Sequence, residues 1–354
     1  MQSNNEFEAL MIISGTNVKK EDLMKNKIAL EEHFATEEYL QDVKRFFIRE
    51  GADVWEKAKN TICDITGGER LEKMDEAGIE KSILSLSSPT IQAICNTEDA
   101  IEAAKAINEY TANQIAPRRD RFEAFAALPT QSPEAAAREL ERCVKEYDFK
   151  GALINAYCNV DDPTKPVFLD EPKYEPFWAK AAELGTPIYI HPRPVPQAVK
   201  DIMFGDNHFW METAAWGWHA NLGTQILRLV SSGIFDKYTN LQIVIGHMGE
   251  LLPMFLWRIT NRCNTHKRDC LAELPINQYF QRNISITTSG NCSTPALMCA
   301  MMEMSTDRIM FSTDYPYETM KQASDWFDNI PFSDIDKEKM GRTNAAELFH
   351  IDLK

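Results

Sequence analysis

A chain of 354 residues with 44% apolar residues has ample material for a packed core, which excludes a disordered polypeptide. A net charge of −15 without any Lys/Arg block argues against a nucleic-acid surface, so an anionic substrate must be captured by local positive charge, from a cation or an Arg. No apolar run approaches the ~20 residues of a membrane span, residues 9–13 are too short for a signal-peptide core, and the eight Cys never form a C-x-x-C pair. They read as mostly buried thiols in a reducing compartment, and the expected protein is soluble and cytoplasmic.

Residues 1–26 read as an appended arm that packs on the main body or on a partner subunit. Residues 27–32 form the first predicted strand. Residues 34–64 are long, irregular and aromatic, with Phe46, Phe47 and Trp55, and make a candidate lid. A helix over 69–77 places Leu71, Met74 and Ala77 on one face and stops at Gly78. Strands follow at 81–86, 122–127 and 151–154, separated by a helix over 97–115 and another that Ser132-Pro133-Glu134 opens and that runs to about Tyr147. A helix over 176–184 closes at Gly185 and leads into a strand at 187–190. Residues 192–211, with Pro at 192, 194 and 196, form a second long loop. Next come a helix at 222–232, a strand at 241–245 and a helix at 250–261 that tolerates Pro253. A strand at 283–288 and a Met-rich helix opened by Thr294-Pro295 precede the last strand, 309–311, which runs to Asp314. Eight strands alternating with helices predict an α/β fold; the alternation also fits an open doubly wound sheet, and metal-binding groups at the ends of strands one, five, six and eight favour a (β/α)8 TIM barrel with long βα loops. The chain divides into the arm, 1–26, and a single barrel domain, 27–354.

Four of these strands end in groups that bind metals. The first delivers Glu31, Glu32 and His33, the fifth His191, the sixth His247 and the eighth Asp314. In a parallel barrel those ends share one rim. Glu31-x-His33 puts alternate side chains on one side of the pleat, so both can face the axis; with His191 and Asp314 they offer three or four oxygen and imidazole ligands to a hard divalent cation. A solvated turn is the plain alternative for Glu31-Glu32, and a structural hydrogen bond for any single His. The strand at 151–154 is followed by Asn155-Ala156-Tyr157, with no Lys to bridge a second metal, so the site is expected to be mononuclear. Glu250, at the start of the helix after His247, can orient that imidazole or serve only as a favourable first-turn carboxylate. Arg258, two turns on, either pairs with Glu250 or reaches substrate. Phe46 either stacks on a planar substrate or packs the lid. Trp210, Trp216 and Trp218 read as packing, and Met298 to Met304 as core filler.

The blocks Leu30-Glu31-Glu32-His33-Phe34-Ala35, Tyr189-Ile190-His191-Pro192-Arg193, Gly246-His247-Met248-Gly249-Glu250, Ile286-Thr287-Thr288-Ser289-Gly290-Asn291 and Phe311-Ser312-Thr313-Asp314-Tyr315-Pro316 resemble the metal-dependent decarboxylase branch of the amidohydrolase superfamily. The similarity runs from about Lys27 to Leu353. It implies metal ligands at Glu31, His33, His191 and Asp314, catalytic roles for Asp314, His247 and Glu250, and substrate contacts at Phe46 and Arg258. It also implies one divalent ion per subunit (Mn2+, Mg2+ or Zn2+), a small aromatic carboxylate as substrate, and a homo-oligomer, dimer or tetramer. Ser87-Ser88, where the branch tends to have Asn, and the loop 194–211 depart from its pattern.

The implied reaction is non-oxidative decarboxylation of a dihydroxybenzoate-type acid. Direct loss of CO2 would leave an aryl anion with no electron sink, so the ring carbon is expected to be protonated first, with Asp314 as donor and His247 on a ring hydroxyl. A metal-dependent hydrolase of an ester, lactone or amide on the same barrel is the alternative, and a non-catalytic barrel a third reading.

Overall fold

The structure is a computed structural model that describes residues 24–40, 44 and 52–353, with the backbone alone at 52–57. Phe46 and residues 1–23 of the expected arm lie outside the described residues. Among the described residues ten strands occur in chain order: β1 Lys27–Phe34, β2 Ile79–Leu86, β3 Phe122–Ala124, β4 Ala152–Asn155, β5 Tyr157–Asn159, β6 Pro166–Phe168, β7 Ile188–His191, β8 Ile243–Ile245, β9 Ile284–Thr287 and β10 Ile309–Met310. All eight expected strands are among them. The extra pair, β5 and β6, is an antiparallel hairpin in the loop after β4.

Two parallel arcs, β1-β2-β3 and β4-β7-β8-β9-β10, make the wall. Single parallel bridges close them into a ring, Ala126 to Ala152 at one seam and Glu32 to Tyr315 at the other. Backbone bonds hold each seam: Leu153 N–H to Ala126 C=O at 3.1 Å, and Asp314 N–H to Glu31 C=O at 3.1 Å. The result is the expected (β/α)8 barrel.

Alternation sorts the side chains. Ile28, Leu30, Ile83, Phe125, Leu153, Tyr189, Val244 and Met310 form one buried cluster inside the ring, capped by Ala345, Ala346 and Phe349. Ala29, Leu84 and Ile190 belong to the larger cluster between strands and helices. On a period of two, the inward pair Ile28 and Leu30 would send Glu32 inward and Glu31 and His33 outward. The register of β1 against β2 shifts between Ala29 and Glu32, however, and that irregularity reverses the parity at the strand's end. Glu31 and His33 therefore face the axis. Glu32 points the other way, and both carboxylates are fully buried rather than set in a solvated turn.

The helix signals hold where the chemistry is local. Ser132 accepts from Ala135 N–H at the head of Pro133–Tyr147, and Gly185 ends Glu175–Leu184 in the left-handed conformation. Three expectations are corrected. The helix placed at 250–261 is Leu252–Thr265, with Pro253 in its first turn, where a missing N–H costs nothing. Met298 and Met302 are exposed rather than core filler, because the helix Thr294–Met304 turns only Leu297, Ala300 and Met304 fully inward. Of the eight free thiols only Cys143 and Cys158 are fully buried; the other six are partly covered.

Candidate metal centre

The carboxyl ends of β1, β7, β8 and β10 converge on one point. One donor atom from each of Glu31, His191, His247 and Asp314 lies within 4.8 Å of every other. His33 adds a fifth donor: its Nε2 is 3.6 Å from Glu31 Oε1 and 3.3 Å from Asp314 Oδ1. His191 Nε2 stands 3.1 Å from Glu31 Oε1, and His247 Nε2 stands 3.6 Å from both Glu31 Oε1 and Asp314 Oδ2. The structure thus brings together the four candidate ligands read from the sequence and adds His247 to the same cluster.

All three imidazoles are held from behind. His191 Nδ1–H donates to the Pro192 carbonyl at 2.6 Å, His247 Nδ1–H donates to Glu250 Oε1 at 2.6 Å, and His33 Nδ1 shares a hydrogen bond with Ser85 Oγ at 3.0 Å. Each Nε2 is left facing the centre, the arrangement that fixes metal-binding tautomers. Tyr189 O–H donates to Glu31 Oε2 and exchanges a hydrogen bond with Thr287 Oγ1 at 2.9 Å. Gly246 makes the approach possible, since a Cβ there would stand 2.5 Å from Glu31 Oε2.

Two buried atoms of this cluster, Glu31 Oε1 and His33 Nε2, have no hydrogen-bond partner among the described residues. Leaving such groups unmet inside a protein costs about 1–3 kcal/mol each or more, and a cation meets both at once. The spacings agree. Around an ion with bonds of about 2.1 Å, neighbouring ligands are separated by about 3.0 Å in an octahedron and about 3.4 Å in a tetrahedron, close to the 3.1–3.6 Å contacts here. The residues present fit a single divalent ion.

The cluster's own charges point the same way. Burial works to raise Glu31, but His247, His191 and His33 outweigh it and hold the carboxyl well below its usual range. Asp314 is likewise lowered, by the His247 and His33 imidazoles beside it and against burial. Burial opposes charge on His33, yet Asp314 and Glu31 pull it up to about 9. A bound cation would take over the role of those imidazolium charges.

His247 and Glu250 reach their places through an unusual corner. Residues 247 to 251 all have positive φ, at 50, 60, 80, 53 and 67°. Four of them are not glycine, and the left-handed conformation costs each roughly 1–2 kcal/mol. This left-handed turn brings side chains three apart together, so strain is stored where a His–Glu pair is built. Asp314, another of the candidate ligands, is also held at positive φ, 70°.

Glu250 does not pair with Arg258. Among the described residues its carboxylate, fully buried, takes His247 on one oxygen and His219 on the other, each at 2.6 Å. Arg258 is exposed and lines a cavity of about 570 Å3 on the far side of Glu250, together with Trp216, His219, Phe255 and Arg262. Trp218 packs its edge on the His191 ring at 6.1 Å. The reading from sequence missed His219, Tyr189 and Ser85. Tyr189 was findable, since it lies two residues before His191 on the same face of β7. His219 carried no local signal.

A family profile described as "Amidohydrolase" matches residues 59–351. The gamma-resorcylate decarboxylase of Rhizobium sp. (strain MTP-10005) is 43% identical over 338 residues, 93% of this chain and 99% of that one. A crystal structure of 2,6-dihydroxybenzoate decarboxylase complexed with 2,6-dihydroxybenzoate superposes with a TM-score of 0.87 at 44% identity, covering 92% of this chain and 100% of that chain. The dihydroxybenzoic acid decarboxylase of Polaromonas sp. JS666, solved with bound manganese and the inhibitor 2-nitroresorcinol, gives a TM-score of 0.88 at 43% identity over 94% and 98% of the two chains. With its barrel closed, its donors converging on one cation site and its likeness to these proteins running nearly end to end, the chain belongs to the amidohydrolase family, on the branch of metal-dependent decarboxylases.

Proposed function

We propose that the chain catalyses non-oxidative decarboxylation of a hydroxylated aromatic carboxylate of the dihydroxybenzoate type. The observation that carries this reading is Asp314 and His247 facing each other at 3.6 Å beside Glu31, on a rim with room for one cation. Glu31, His33, His191 and Asp314 are the assigned ligands. The ion, when bound, supplies positive charge that draws a carboxylate and an ortho oxygen into the site and favours the phenolate.

The residues then divide the proton work. The reaction ArCO2− + H+ → ArH + CO2 consumes one proton, and it must arrive at carbon before the C–C bond breaks. Asp314, protonated with substrate in place, delivers it to the carboxyl-bearing ring carbon; the ring loses aromaticity, and the C–C electron pair returns to it as CO2 departs. Asp314 is left as a carboxylate and is recharged from solvent. His247, oriented by Glu250, holds the ring hydroxyl and takes or returns its proton. Arg258 keeps its assignment as a substrate contact, supported by its exposed guanidinium at the cavity on the far side of Glu250. Ser87 and Ser88 set the far wall: Ser87 Oγ bonds Tyr317 O–H at 2.6 Å and Ser88 Oγ donates to Pro192 C=O at 3.0 Å. Their difference from the branch's usual Asn is where ring substituents are selected.

The chain works as a homo-oligomer in the cytoplasm. Exposed Met254 and Trp257 on Leu252–Thr265 and Met298 and Met302 on the helix beside it support burial between copies, and eight free thiols support a reducing compartment. The test is a panel of hydroxybenzoates assayed for CO2 release with and without a chelator. Chelator-sensitive release from at least one ortho-hydroxylated acid is expected, and turnover in D2O should place deuterium at the vacated carbon. Hydrolysis of an ester or lactone panel without any CO2 release would overturn the reading.

A further inference from the structure

We propose that His219 is a positioning residue for His247, acting through Glu250; this rests on the decarboxylase reading above. The three side chains form a line of two short bonds. His219 Nδ1–H donates to Glu250 Oε2 at 2.6 Å, and His247 Nδ1–H donates to Glu250 Oε1 at 2.6 Å. The two rings stand 6.0 Å apart at 79°. A carboxylate with one partner can swing about its last torsion; one gripped on both oxygens from two different elements cannot. Glu250 is gripped in that way, and its side chain is wholly buried.

The grip is built into the backbone. His219 sits in the first turn of the helix Gly217–Ser231, while Glu250 sits in the left-handed turn of residues 247–251. The chain enters that helix so close to the preceding segment that a Cβ at Gly217 would lie 2.3 Å from the Glu212 carbonyl oxygen. Further along the same helix, a Cβ at Gly223 would be in ordinary contact, 3.5 Å, with the Glu250 carbonyl oxygen, so helix and turn are packed face to face. A turn at five consecutive positive φ values relaxes if nothing holds it, and His219 is the side-chain tie from the helix to it. The tie keeps the Glu250 oxygen on His247 Nδ1, and that bond determines which imidazole nitrogen faces the substrate.

The experiment compares His219→Leu, which fills the space without a donor, with His219→Gln, whose amide N–H can reach the same oxygen. Both are purified as full chains and loaded with Mn2+ for kinetics, with metal content measured. Both are also loaded with Mg2+, labelled at histidine with 15N, and the His247 ring signals, assigned with His247→Asn, are followed by NMR. In His219→Leu, kcat should fall ten- to a hundredfold with KM within about twofold and metal content unchanged, since losing a residue that holds a functional imidazole has that scale of effect. The His247 Nδ1–H signal should shift or vanish. In His219→Gln both readouts should return toward the parent protein. An unchanged His247 signal in His219→Leu, or a His219→Gln protein as impaired as the Leu variant, overturns the proposal. The NMR comparison stands even if no hydroxybenzoate is turned over, so failure of the decarboxylase reading and failure of this one are told apart.

Discussion

Glu31 and Glu32 are neighbours of the same type, both wholly buried at the end of β1, and they have opposite fates. Glu31 faces the axis, where three imidazoles hold its carboxyl well below its usual range and one oxygen has no hydrogen-bond partner among the described residues. Glu32 faces the seam with β10. There it accepts from Ser312 Oγ at 3.2 Å, Thr313 N–H at 3.1 Å and Thr313 Oγ1–H at 2.7 Å, while burial pushes its carboxyl up to about 7. One side of the strand is left incomplete so that an ion can complete it; the other is completed by the protein and closes the barrel. A carboxylate's burial says little about its role until its partners are counted.

The sharpest way to break this comparison is on the axial side. Asp314→Asn should lower kcat about a thousandfold, within the range general acids contribute, while the barrel stays folded by circular dichroism. Retention of most activity would remove Asp314 as proton donor. Glu31→Gln should abolish stoichiometric metal binding, measured by elemental analysis after gel filtration, because a neutral amide replaces the charge at the centre of the cluster.

The seam side should respond in stability instead. In chelator-treated protein, Glu32 is protonated in both folded and unfolded states below pH 4.5; between 4.5 and about 7 only the folded state keeps the proton. Stability contributed there falls as pH rises and levels off above about 7, a total of about 3 kcal/mol. Glu32→Gln should flatten that part of the curve in urea unfolding between pH 5 and 8, and an undiminished slope would assign the effect to another group. The smallest expected change is at Tyr189→Phe, which removes the donor to Glu31 Oε2. Metal affinity should weaken about tenfold by titration, with the Glu32 slope untouched.

Much of the site was legible because its signals are local. A short apolar run ended by His191 or Asp314 reads as a strand delivering a ligand whatever surrounds it, and Ser132 and Gly185 mark helix ends through their own backbone chemistry. Arg258 shows the limit. Its spacing from Glu250 on an expected continuous helix left a pair and a substrate contact equally open, but the helix starts at Leu252, and the left-handed turn before it aims Glu250 away from such a pair. His219, 31 residues from Glu250, could be joined to it only by knowing how one helix packs on one turn.

What the amino-acid sequence determined alone was the set of elements and the residue types at their ends, since hydrophobic period, caps and strand-terminal ligands act within a few residues. What the tertiary structure decided was which way those ends face. The register shift in β1 turns Glu31 and His33 inward against simple alternation, and the turn at residues 247–251 sets His247 between the cation site and Glu250. Both depend on pairing and packing between segments far apart in the chain, where free energy is shared among many weak contacts and no single stretch carries the signal.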